Sequence, residues 1–253
     1  MKAVWTLCLS NLRKRKVQNG FIALLILLAT LLISTAATVI ANSGDRFADL
    51  HARLKGSHQL LTMEKGLLDP KAVHDWWASQ TGVETSKLLP FRTLSGIVYE
   101  GKEIPNLYFY MMDTPSLPFG VDELVFASDD RRGDGDRERD RDGDVDRDRD
   151  GKVAPAPGTV WIPTSLAYAH RIEAGDTIEI KRADDPLRLR VSAIVIDLPY
   201  GGPFTNTARI WMNPNDYEQE IRAMPGNESY MIAIRYDDYG QRAAYWQRFE
   251  SYL

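Results

Sequence analysis

The sequence predicts an α+β protein: one membrane helix near the amino terminus, then a mixed body of helices and strands. Three observations carry that prediction. From Val17 to Gly44 the chain has no ionisable side chain, and a bilayer crossing needs about 20 such residues. Beyond it, apolar periodicity alternates between helical and strand spacing. Composition is otherwise that of an ordinary globular protein: 253 residues, 44% hydrophobic, 26% charged and a net charge of -4.

The charge balance excludes one function class. Nucleic-acid binding needs a clustered basic face, and the basic cluster here is Arg13, Lys14, Arg15 and Lys16, directly before the apolar run. The single cysteine, Cys8, rules out an intrachain disulfide.

The span reads as Leu-, Ile- and Ala-rich over residues 21–40, with Thr and Ser able to bond back within a helix. Arg13 to Lys16 lie before it and Asp45 after it. The positive-inside tendency therefore places the amino terminus in the cytoplasm and the remainder outside. A cleaved signal peptide is the competing reading, with Val39 and Ala41 as the small residues before a cleavage site. The apolar region exceeds the roughly 7–15 residues of such a peptide, which favours a retained helix. Residues 1–16 carry Val4, Trp5, Cys8, Leu9 and Leu12 on one helical face. They fit an amphipathic segment on the cytoplasmic surface with Trp5 as interfacial anchor, or a disordered basic tail.

Residues 43–56 continue the helix, with Phe47, Leu50 and Leu54 at spacings of three and four and Gly56 as the stop. "HQLLTM" reads as a strand. Asp69-Pro70 starts a helix that buries Val73, Trp76 and Trp77 and ends before Gly82. Strands follow at 83–90 and in "GIVYEGKEIPNLYFYMMD", a hairpin around Gly101. Strand–helix–strand–strand is the first half of a ferredoxin-like alternation.

Residues 129–150 differ in kind: 11 acidic residues, 7 arginines, 3 glycines and one valine. With no apolar surface to offset ordering entropy, the run predicts a solvated, disordered insertion. A calcium loop is the sharper alternative, with Asp146, Asp148 and Asp150 as ligands and Gly151 at the turn. The bidentate Glu expected at its twelfth position is Pro157.

After "APAPG" the pattern resumes. A strand precedes a short helix capped by Thr164 or Ser165, and Gly175-Asp176 turns the chain. Residues 177–181 and 187–196 alternate as an antiparallel pair. "ARIWMNPNDYEQEI" gives a strand and a helix entered at Asn213-Pro214, and "SYMIAIRY" a strand. "DYGQRAAYWQRFESYL" is a helix with Tyr245, Phe249 and Tyr252 on one face. It reaches the end of the sequence without a stop signal, so the chain reads as the front part of something longer.

No catalytic constellation is evident. The histidines (His51, His58, His74, His170) lack paired ligand spacing, with His74 and His170 on polar helix faces. No nucleophile elbow or glycine-rich phosphate loop occurs. No cofactor is expected, and "NES" at Asn227 is a short pattern of little weight.

The order of these parts resembles a family. "LSNLRKRK" before a long helix, a mixed α/β body, and "VWIPTSLAYAHRIEAGDTIEI" are similar to the FtsX/MacB-type ABC transporter permeases. The resemblance implies a two-lobed extracytoplasmic domain, a ferredoxin-like lobe plus a small β-rich lobe. It divides the chain into a cytoplasmic segment (1–16), a transmembrane helix (17–42), a first part of the domain (43–128), the insertion and Pro hinge (129–158) and a second part (159–253). It further implies a bacterial cell membrane location, a permease dimer, a separate ABC ATPase subunit as the enzyme, and an extracytoplasmic protein or peptide substrate. The family has four transmembrane helices; this sequence offers one.

Overall fold

The computed structural model describes residues 16–64, 66, 68–105, 108–114, 117–127, 145–147, 153–182, 185–200, 207–224 and 228–253. The chain divides into two compact units, 1–50 and 51–253.

Unit one is helix. α1 runs Lys16–Arg53, so its last three residues belong to the second unit. Among the described residues, one helix is long and apolar enough to cross a membrane, over Gly20–Ile40. Its threonines behave as expected of hydroxyls in an apolar helix. Thr35 donates to the Leu31 carbonyl at 2.7 Å, Thr38 to Ser34 at 2.8 Å, and Thr30 to Ile26, so each polar group is satisfied four residues back.

Unit two is built on an 11-stranded mixed sheet. In chain order its elements begin with β1 (Gln59–Glu64), α2 (Pro70–Ser79), β2 (Val83–Ser95), β3 (Ile97–Tyr99), β4 (Lys102–Glu103), β5 (Tyr108–Asp113) and β6 (Val125–Phe126). A separate pair, β7 (Val145–Arg147) and β8 (Val153–Pro155), comes next. The rest are β9 (Thr159–Pro163), α3 (Thr164–His170), β10 (Thr177–Ile180), β11 (Leu187–Ile196), β12 (Thr207–Met212), α4 (Pro214–Asp216), β13 (Ser229–Tyr236) and α5 (Arg242–Tyr252).

The sheet order is β1-β13-β2-β5-β12-β9-β11-β10-β3-β4, with β6 on β11. β1 and β2 both run antiparallel to β13 and are therefore parallel to each other. With α2 between them they form a split β–α–β unit whose inserted strand arrives from the far end of the chain. α2 and α5 cover one face there: Val73 and Trp77 of α2 and Tyr245 and Phe249 of α5 pack on Ile232, Ile234 and Tyr236. Met231 belongs to the opposite core with Leu89, Phe91, Met112, Trp161 and Trp211. That split is the two-residue period of a strand covered on both faces.

At the other end Ile97, Ile162, Ile178, Ile180, Leu189 and Val191 pack beneath Leu166 and Ala167 of α3. The ferredoxin-like and β-rich regions are thus two ends of one continuous sheet. β12 joins them, pairing parallel with β5 and antiparallel with β9. Its residues alternate between cores, Ala208, Ile210 and Met212 to one and Trp211 to the other.

Local signals account for most element ends. Asp69 caps α2, its Oδ1 accepting from the Lys71 N–H at 3.0 Å, and Pro70 sits where a missing N–H costs nothing. Glu100 and Gly101 both take positive φ, 50° and 74°, as a two-residue hairpin turn requires; they join β3 to β4. The sequence reading extended that hairpin through β5, but β5 instead pairs with β2 and β12. β10 and β11 pair antiparallel as expected.

The cap of α3 differs from expectation. Pro163 occupies the cap position and makes no side-chain bond, and Ser165 Oγ instead donates to the Tyr200 carbonyl at 3.2 Å. Asn213 does cap the turn at Pro214, its Oδ1 accepting from Asn215 N–H at 2.9 Å. A π turn, Tyr217–Ile221, continues from it.

Candidate functional site: an apolar helix and a buried charge cluster

Twelve large apolar side chains between residues 20 and 40, from Phe21 to Ile40, are exposed, Ile40 by 73% and Ile33 by 69%. An unbroken exposed surface of this kind, far beyond the few hundred Å² usual on a soluble monomer, requires lipid or protein to cover it. Lys16 is the first residue of α1. Trp5, Arg13, Lys14 and Arg15, the expected interfacial anchor and orientation residues, lie outside the described residues, as do Asp148 and Asp150 of the calcium reading. Asp146 is within strand β7. Among the described residues, no group of three or more His, Cys, Asp or Glu side chains is placed to hold a metal ion.

In unit two the most unusual chemistry is a charge cluster under the sheet. Arg209 on β12 and Asp197, just past β11, are both fully buried. The guanidinium meets the carboxylate with two bonds, Nε to Oδ2 at 2.7 Å and Nη2 to Oδ1. Its carbon lies 5.0 Å from the ring centres of both Tyr200 and Trp211, a cation–π sandwich in a desolvated place. The third nitrogen, Nη1, points at Met231 Sδ, 3.5 Å away.

Asp122 lies nearby in the loop before β6 and is 3% exposed. Its Oδ1 accepts from the Ser57 N–H at 2.6 Å, while Oδ2 is buried without a hydrogen-bond partner among the described residues. Burial raises its pKa, and the charge of Arg209 opposes that rise. The same loop ties back to residues 54–57: the Asp122 N–H donates to the Lys55 carbonyl at 3.0 Å and the Glu123 N–H to Leu54 at 2.8 Å.

A second cluster gathers on Glu228, 6% exposed. It accepts from Arg222 Nε at 2.8 Å and from the Tyr230 hydroxyl at 2.8 Å. Neither cluster contains a nucleophile beside a base, and each holds an ion pair within the fold, Arg209 with Asp197 and Arg222 with Glu228. Their chemistry is that of braces.

Two open grooves mark the surface near α5. One, of about 890 Å³, is lined by Thr81, Asp237, Asp238, Gln241 and Arg248 among others. The other, of about 650 Å³, runs along the edge strand β1 beside Leu68 and Phe249.

Sequence reading missed the Arg209–Asp197–Asp122 cluster. A signal was present: "ARIWM" places one charge in a run whose other residues are all apolar. Every residue from Ala208 to Met212 proves buried, so Arg209 had to find an anion. Which anion was not legible, because Asp122 and Asp197 come from distant segments. His51 and His58, seven residues apart and without ligand spacing in the sequence, stack with ring centroids 5.4 Å apart. His74 was placed on a polar helix face; its Nε2 lies 3.1 Å from the Ser86 carbonyl.

No protein-family model and no curated protein matches the sequence. Among solved structures, the chain is similar to the periplasmic region of MacB from Actinobacillus actinomycetemcomitans. The identity is 13% and the TM-score 0.36, with 76% of this chain and 81% of that one covered. It is also similar to a permease protein domain from Porphyromonas gingivalis, with 14% identity and a TM-score of 0.35, covering 70% of this chain and 64% of that one.

Proposed function

We propose that this chain is a permease-type subunit of an ABC transporter, anchored by α1, with its α/β unit on the extracytoplasmic face of a bacterial cell membrane. The observation that carries the reading is the helix at Gly20–Ile40, free of charge over its whole length and exposing large apolar side chains from Phe21 to Ile40. The basic run Arg13 to Lys16 supports the orientation, amino terminus inside. The family resemblance supplies a separate ATPase subunit as the site of ATP hydrolysis, a permease dimer, and an exported protein or peptide as cargo.

The mechanical part of the proposal is that closure of the ATPase below the membrane displaces α1 and reshapes the sheet-based unit above it, a hinge or shear transition. The experiment is purification of the full chain, with whatever follows it in its reading frame, from its own membranes under mild detergent. Co-purification of a nucleotide-hydrolysing protein whose activity changes when α1 is altered supports the reading. A chain that carries no ATPase through purification and stays single-pass supports the second reading instead, a singly anchored extracytoplasmic interaction module.

A further inference from the structure

Residues 51–58 meet the end of β13 through a stack of rings. The imidazole of His58 lies over Tyr236, with centroids 5.9 Å apart and planes 22° apart. It also stacks on His51, at 5.4 Å and 18°, and Tyr239 is tilted against it at 5.2 Å. Three hydrogen bonds tie the same segments. The His58 N–H donates to the Ile234 carbonyl at 2.8 Å, Arg235 Nη1 donates to the Gly56 carbonyl at 2.8 Å, and the Tyr236 N–H donates to His58 Nδ1 at 3.0 Å. Packing is close enough that a Cβ on Gly56 would fall 2.4 Å from His51 Cδ2 and 2.6 Å from Leu198 Cδ2, so any larger residue would displace the His51 ring or Leu198.

The third bond fixes a protonation state. A ring nitrogen accepts only when it carries no proton, and an imidazolium has N–H donors at both positions. His58 is therefore held neutral with its proton on Nε2. His51 Nε2 is 3.2 Å from the Ser57 carbonyl, which can only accept, so its proton is on that nitrogen.

We infer that this junction is an acid-released latch: neutral His58 closes it, and a proton on Nδ1 sets donor against donor at Tyr236 and frees residues 56–58 from β13.

The groups facing His58 are few in kind. The end of α1 contributes His51, and β13 contributes Arg235. β2 contributes Glu84, whose Oε2 is 2.7 Å from Arg235 Nε. The loop before β6 contributes Asp122, bound to the Ser57 N–H, and the turn after β13 contributes Tyr239. Burial, then Arg235 and His51, hold His58 below its ordinary 6.5, with Glu84 acting the other way. The sign follows. An unfolded or opened chain takes up the proton near 6.5, whereas the closed junction does so only at lower pH. The latch is at full strength above 6.5, weakens as pH falls through that value, and is spent below the lowered pKa. Between those two limits one proton is linked to opening, so the open population grows roughly tenfold per pH unit.

The test is hydrogen–deuterium exchange on the full chain in detergent micelles from pH 7.5 to 5.0, normalised to intrinsic exchange rates. Peptides covering 56–60 and 234–238 are expected to lose protection progressively as the pH falls below 6.5, and to level off once the lowered pKa is passed. In His58→Asn the amide oxygen stands where Nδ1 stood and does not titrate, so neutral protection is kept and the acid loss disappears. Unchanged protection in the wild type, or the same acid loss in His58→Asn, overturns the latch. Should that variant fail to fold, nitrogen-detected NMR of the wild-type ring decides. A bare Nδ1 at pH 7 with a midpoint below 6.5 upholds the inference, and a protonated Nδ1 at pH 7 or a midpoint above 6.5 ends it.

Discussion

Arg209 spends its whole charge inside the protein. Taking a guanidinium and a carboxylate out of water costs several kcal/mol for each ion, and the attraction between them offsets this only when the geometry is good. Here it is good: two bonds to Asp197 and two aromatic faces. Removal of one partner leaves the other uncompensated. Asp197→Ala is expected to lose about 3–5 kcal/mol, read as a drop in the urea midpoint of tryptophan fluorescence for the full chain in micelles. The paired replacement Arg209→Met with Asp197→Leu should recover part of that loss, the remainder falling on buried Asp122, which then lacks the opposing charge of Arg209. A double variant as unstable as the single one would show that the pair has a role beyond mutual neutralisation. Legibility at this scale was partial. The oddness of Arg209 could be read from its neighbours, whereas its anion could not, since only tertiary folding brings Asp197 beside it.

Single elements follow local chemistry, and their ends were the most legible part of the chain. Asp69-Pro70, the Glu100-Gly101 turn, Asn213-Pro214 and the β10–β11 pairing all stand where residue type and spacing put them. Replacing the cap, Asp69→Ala, should cost about 1 kcal/mol, measured by the same urea titration. Phe249 on α5 is 4% exposed and packs against Trp76 and Trp77 of α2, with ring centroids 5.2 and 5.1 Å away. Phe249→Ala should cost about 3–5 kcal/mol, more than the cap, because it leaves a cavity between two helices. Tyr252, on the same face, is 45% exposed and stacks on Trp76 at the rim. The misplaced cap of α3 has an equally local cause. Thr164 and Ser165 are both good cap residues, but the helix already begins at Thr164, and Ser165 is drawn to the Tyr200 carbonyl.

At the scale of the molecule, sequence reading yielded the class and the apolar span but not the strand order. Neighbours such as β1 and β13 lie some 170 residues apart, and no short-range pattern encodes such a pairing. Reporter fusions test the arrangement across the membrane: residues before Arg13 are expected inside and those after Asp45 outside, and the inverted pattern would remove the basis of the proposed function. Deleting residues 131–149 removes β7, whose pairing is with β8 in a two-stranded sheet of its own. The thermal midpoint should move by less than about 2 °C. A larger fall would mean that the charged stretch supports the fold, through bound calcium or otherwise.

β12 contributes to two interiors at once. A body stitched along its middle in this way has no seam at which to be divided. Fragments severed on either side of that strand should be insoluble singly and regain solubility only when expressed together, and heating should melt both ends of the sheet in the same transition.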